Sequence, residues 1–125
     1  MTLADAGHGL ALIGTGVGEP ALMPVKGVEL ARSCDQRFLE GYTSLLGPGG
    51  FESLVNMIGE VEILQRSEVE HPTELLSAAK EGKVALMVVG DPLQATTHID
   101  LLLRCQEERI PTEVVHAASI TTVIS

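Results

Sequence analysis

Short apolar runs alternate along the chain with longer segments whose apolar residues recur at helical spacing. Leu10 to Gly14 (LALIG) is the first run, and glycines close it. A run this short, bounded by glycine, predicts a strand. Pro24 to Cys34 places Val25, Val28 and Ala31 on one predicted helical face. Arg37 to Glu40 is a weaker strand candidate. The YTSLLGPGG stretch predicts a loop, because Gly47, Pro48, Gly49 and Gly50 break either period. Phe51 to Ile58 then predicts a helix, and Val61 to Leu64 another strand. Pro72 to Lys80 has proline near its first turn, lysine in its last and Gly82 just beyond, which punctuates a helix at both ends.

Val84 to Val89 (VALMVV) is apolar at every position. That suits a central strand covered on both faces and not a one-sided edge. Thr97 and Asp100 stand at capping-box spacing ahead of LLLRCQ, opening a helix that runs to about Arg109. Thr112 to His116 (TEVVH) is the last predicted strand. The alternation βαβαβαβαβ predicts an α/β fold: a five-stranded, mainly parallel sheet with helices on both faces and right-handed crossovers. Residues 1–9 read as a flexible leader and 10–125 as one α/β domain. After the fifth strand the sequence continues only as SITTVIS, where a further helix is due, so the expectation is the first half of a larger architecture.

Composition narrows the classes. At 125 residues with 45% hydrophobic content, the chain can fill one globular core, and disorder is not expected. Seventeen acids against eight bases give a net charge of −9, which repels phosphate backbones. Two Phe, one Tyr and no Trp offer little stacking surface, so nucleic acid is not an expected partner. No apolar run reaches the roughly 18–20 residues of a membrane span, and the start MTLADAGHG lacks the pattern of a secretory signal. Cys34 and Cys105 make no disulfide framework and read as buried thiols of a cytosolic protein.

Candidate chemistry gathers at strand ends. Gly14, Gly16 and Gly18 follow the first strand as G-T-G-V-G, with Glu40 ending the second as a candidate ribose-binding acid. A dinucleotide fingerprint would be G-x-G-x-x-G, and here Glu19 stands where the third glycine belongs. On this motif alone, a tight strand exit with no ligand is the favoured reading. Gly90, Asp91 and Pro92 sit at the carboxyl end of the central strand, where open α/β sheets bind ligands. An Asp-Pro turn feeding a threonine cap explains the same residues structurally, and the two readings are compatible. His8, His71, His98 and His116 show no metal-ligand spacing, so no metal site is expected. No nucleophile elbow is present, and Ser119 reads as the cap of a further helix near the same edge.

The segments LIGTGVG, VKGVELARSCD, LEGYTSLL, VVGDPLQATTHIDLLLR and IPTEVVHAASI, in this order from Leu12 to Ile120, resemble the diphthine synthases. These belong to the tetrapyrrole-methylase superfamily of S-adenosylmethionine-dependent methyltransferases. EGYTSLL combined with GDPLQATTH is the specific part of the likeness. The chain departs from that pattern at Glu19 to Val25 (EPALMPV) and at the second glycine loop, Gly47 to Gly50.

The resemblance implies the strand order third-second-fourth-first-fifth. It implies S-adenosyl-L-methionine held in a cleft between two domains, of which this chain would supply one. Contacts would come from the backbone around Gly16 and Val17, from Asp91 and Gln94, and from Ser119 and Ile120. The implied reaction is methylation of the modified histidine of elongation factor 2 in diphthamide biosynthesis, by a cytoplasmic homodimer. No catalytic acid–base set is required, because a sulfonium methyl group needs mainly in-line alignment. Two alternatives remain: another methylase of the superfamily, acting on ribosomal RNA or a corrinoid, and a non-catalytic interaction module.

Overall fold

A strand hydrogen-bonded to parallel neighbours on both edges must be apolar on both faces, and VALMVV meets that condition. The computed structural model describes residues 3–16, 25–40, 49–65, 69–89 and 96–116. The elements used below are α1 (Leu3–Ala6), β1 (Gly9–Gly16), α2 (Val25–Ser33), β2 (Gln36–Glu40), α3 (Gly50–Ile58), β3 (Glu62–Leu64), α4 (Thr73–Glu81), β4 (Lys83–Val89), α5 (Thr96–Glu107) and β5 (Thr112–Val115). The sheet has the order β3-β2-β4-β1-β5, and every pair is parallel. VALMVV therefore lies in the middle strand, and the predicted α/β class and strand order both hold.

Side-chain alternation divides the core. Ala85 and Met87 of β4, Ala11 and Ile13 of β1 and Leu39 of β2 face a cluster built with Ala31 of α2 and Leu54 and Ile58 of α3. Val84, Leu86 and Val88, with Leu10 and Leu12, face the other cluster, which holds Leu75, Leu76 and Ala79 of α4 and Leu101 and Cys105 of α5. A strand period of two thus supplies both helical layers from one run of residues.

Two sequence expectations need correction. Residues 1–9 were expected to form a flexible leader, yet Leu3–Ala6 is a helical turn and Leu3 is fully buried in the cluster with Ala11 and Val115. The Leu3 N–H donates to Glu113 Oε1 at 2.8 Å, so both a hydrogen bond and an apolar side chain anchor it. Burying one leucine contributes about 1.5–3 kcal/mol, enough to order a short turn. Val25, expected on the buried face of α2, is 72% exposed. The buried stripe runs through Gly27 and Ala31. Position 25 lies about 120° around the helix from position 31, at roughly 100° per residue.

Two predictions follow from this packing. Gly9 has φ +135°, and a Cβ there would lie 2.4 Å from the Pro111 carbonyl oxygen, which accepts the Leu10 N–H. Gly9→Ala is expected to cost about 1–3 kcal/mol or more, read as a lower midpoint in urea unfolding. Burial raises the Cys34 and Cys105 thiols from 9.0 to about 11 each. Unfolded thiols ionise near the ordinary value while the folded ones stay protonated, so stability is expected to fall as pH rises from about 9 towards 11. At pH 8 both thiols should resist iodoacetamide until denaturant is added.

Candidate functional site

The order of the strands locates the ligand edge. β1 leads through α2 to β2 on one side, whereas β4 leads through α5 past β1 to β5 on the other. Neighbouring strands whose connections diverge leave a crevice at their carboxyl ends, and ligands of open α/β sheets bind there. In this chain that switch point lies between β1 and β4. The ladder slips between Gly14 and Gly16, so Gly14 pairs with Val88 and Gly16 with Val89. Thr15 occupies the slip, and its hydroxyl donates to the Val88 carbonyl at 3.3 Å. The glycine-rich run therefore ends β1 with a bulge that turns the strand at the crevice.

Of the predicted site residues, Gly16 stands at this edge, paired with Val89. Val17, Asp91, Gln94, Ser119 and Ile120 lie outside the described residues. By sequence, Val17 follows the end of β1 directly, Asp91 is two residues beyond β4, and Ser119 is four beyond β5. β5 is parallel to β1, with Ile13 opposite Val115, so all three strands end at the same side of the sheet.

Buried polarity concentrates at that side. Among the described residues, the buried polar or charged side chains are Thr15 (3% exposed), Glu40 (6%) and His98 (4%). Thr15 is next to last in β1, Glu40 ends β2, and His98 lies in the first turn of α5, which follows β4. His98 Nε2 is 2.6 Å from Glu40 Oε2. A carboxylate only accepts, so the ring nitrogen donates. Among the described residues, His98 Nδ1 is buried with no hydrogen-bond partner.

Glu40 is therefore committed to His98 and is not the open ribose-binding acid that the sequence offered. Both members of the pair carried signals that sequence reasoning passed over. His98 shares the stripe of Leu101 and Cys105, at spacings of three and four, which is the core face of α5. Glu40 is two residues from Phe38, which packs on the cluster that includes Leu101.

The remaining histidines do less. His8 Nδ1 lies 3.3 Å from the Ala6 carbonyl oxygen, while His71 and His116 are exposed. Among the described residues, no group of three or more His, Cys, Asp or Glu could hold a metal ion. An open groove of about 600 Å³ at the opposite, amino-terminal edge is walled by Asp35, Ser77 and Lys83. None of its walls is a buried polar side chain, so the chemistry of the fold points to the carboxyl edge instead.

Known proteins share this fold. The chain is 44% identical over 117 residues to diphthine synthase of Methanosphaerula palustris, covering 92% of this chain and 47% of that protein. It is 43% identical over 117 residues to diphthine methyl ester synthase of Homo sapiens, covering 92% of this chain and 41% of that protein. A crystal structure of a diphthine synthase superposes with a TM-score of 0.80 at 36% identity, covering 92% of this chain and 46% of the other. The chain thus spans a little under half the length of these relatives. The family model for tetrapyrrole (corrin/porphyrin) methylases matches residues 9–125, from the first residue of β1 through all five strands, and the chain belongs to that family.

Proposed function

We propose that this chain contributes the cofactor-binding wall of an S-adenosylmethionine-dependent methyltransferase of the diphthine synthase type. Its protein substrate would be the modified histidine of elongation factor 2, in the cytoplasm, where that factor works. The observation that carries this reading is the likeness to diphthine synthases over 117 residues, which takes in the whole switch-point edge.

The residues at hand fit the cofactor. The crevice between β1 and β4 is bordered by a glycine-rich bulge that lets backbone approach closely, and the adjoining helix holds a buried, unpartnered nitrogen. A net charge of −9 also suits a cationic ligand better than an anionic one. Backbone at Gly16 and Val17 would line one side of the cofactor. Asp91 and Gln94 would accept and donate hydrogen bonds at its methionine or ribose portion, and Ser119 and Ile120 would approach from beyond β5. When bound, the cofactor supplies an electrophilic methyl group on a neutral leaving sulfur. The chain's own task is to hold that group in line with the attacking amine or carboxylate and to keep water away, which is catalysis by positioning.

Self-association has a specific support. Ile99 and Leu103, one turn apart on α5, are 44% and 50% exposed. They border a groove of about 640 Å³ with Ile110 and Pro111. An amphipathic helix that turns apolar side chains outward gains by covering them, and a second copy of the chain is the proposed cover. Leu103→Glu is expected to shift the sedimentation coefficient from dimer to monomer without loss of helical circular dichroism. A wild-type monomer at high protein concentration removes the dimer from the reading.

Cofactor binding is tested by calorimetry with S-adenosylhomocysteine. Ligand pockets commonly bury about 70–90% of a small molecule, so the 125 residues by themselves should bind more weakly than the longer relatives. Asp91→Ala should weaken that binding by about tenfold or more, the value of one charged hydrogen bond. Labelled methyl transfer to elongation factor 2 carrying the unmethylated side chain should be slow for the same reason. Absence of any binding to the wild-type chain overturns the proposal.

A further inference from the structure

β1 is apolar from Leu10 to Gly14 and then carries a hydroxyl at Thr15, which is buried. Valine or isoleucine would suit a buried strand position as well by shape and would bring no polar atom to satisfy. A hydroxyl held away from water is costly unless it is hydrogen-bonded. This one donates to the Val88 carbonyl at 3.3 Å, so threonine here is tied to one acceptor on the neighbouring strand.

That acceptor stands where the two strands change register. An unbroken ladder that pairs Ile13 with Met87 and Gly14 with Val88 would go on to pair residue 15 with Val89. Gly16 holds that place instead, and Thr15 is the extra residue. An extra residue interrupts the regular ladder, bends the strand and re-aims the backbone that follows. The Thr15 hydroxyl replaces the lost pairing with a bond of its own to β4, which fixes the bulge in one arrangement. Thr15, Gly16, Val88 and Val89 lie at the carboxyl ends of β1 and β4, at the switch point itself.

We propose that Thr15 is a positioning residue for the ligand edge: its hydroxyl latches the bulge to Val88 and so fixes where the Gly16 backbone meets an adenosyl ligand in the crevice. The inference rests on the cofactor reading above and adds to it a side chain that acts without touching the ligand. Backbone groups bind most tightly when they are held in place beforehand, because ordering them on binding costs affinity. Valine at 15 keeps the branched shape and loses the hydroxyl, whereas serine keeps the hydroxyl, so the two substitutions separate latch from packing.

The test measures S-adenosylhomocysteine affinity by calorimetry for the wild-type chain, Thr15→Val, Thr15→Ser and Asp91→Ala, at a temperature where circular dichroism shows each to be folded. Thr15→Val should bind about two- to tenfold more weakly, the worth of one neutral hydrogen bond, and Thr15→Ser should recover most of that loss. A hydroxyl that only supports the fold would lower the unfolding midpoint and leave the affinity of the folded chain unchanged. In the wild-type chain, bound ligand should slow amide exchange at Thr15 and Gly16 while Leu10 to Leu12 change little. That readout needs no variant to fold. If Thr15→Val binds as the wild type does while Asp91→Ala does not, if Thr15→Ser is as weak as Thr15→Val, or if exchange at Thr15 and Gly16 is unchanged at saturation, the positioning role is wrong and the cofactor site stands. If Asp91→Ala binds normally, or the wild type binds nothing, the cofactor reading falls and this inference falls with it.

Discussion

A strand with parallel neighbours on both edges and helices on both faces is shut off from water along its middle, as Val84 to Val88 of β4 are, and the rest of this molecule is arranged around that condition. Its ladder to β2 and β1 satisfies the backbone, and its alternating side chains feed two separate clusters. Each cluster demands its own helical layer, which is why α2 and α3 cover one face while α4 and α5 cover the other. Covering both faces of one sheet forces the connections from β1 and β4 to leave in opposite directions. The crevice at their carboxyl ends is therefore a by-product of burying the sheet, available to a ligand without any residue having been spent to make it.

What distinguishes this edge from an empty crevice is the polarity buried along it. Thr15 satisfies its hydroxyl on a carbonyl of the neighbouring strand, as a bulged strand end requires. Glu40 and His98 satisfy each other but leave one nitrogen over. The amino-terminal edge shows the contrasting solution, with exposed hydrogen bonds such as that from the Lys83 N–H to Asp35 Oδ2 at 2.9 Å. One edge closes the fold using solvent-facing groups. The other holds polar groups out of water, where their interactions are stronger and their absence of a partner is more costly.

The family likeness and the physics of the edge meet at the level of the site. Methyl transfer from a sulfonium asks for alignment and dryness more than for a proton relay, so the proposed site, of backbone ends, one glycine bulge and a few hydrogen-bonding side chains, would be chemically adequate for it. The likeness covers this chain almost entirely and each relative by less than half. Contacts contributed by the rest of those proteins therefore lie beyond these residues.

Strand and helix periods are local properties, and they were legible. VALMVV, LALIG and TEVVH are strands because short apolar runs can be buried only by pairing, and α4 lies within one residue of where Pro72, Lys80 and Gly82 punctuate it. The α/β class follows from that alternation alone; the strand order came only from the resemblance. Tertiary structure decided the rest. Leu3 is core because a hollow beside Ala11 and Val115 accepts it, and nothing within MTLADAGHG announces that hollow. Val25 is exposed because the face of α2 is chosen by the sheet beneath it. Glu40 and His98 meet across 58 positions of sequence, each looking like an ordinary polar residue in its own segment. A local period states which way a side chain points, but a partner that far along the chain exists only once the sheet has brought β2 beside β4 and α5 has packed across them.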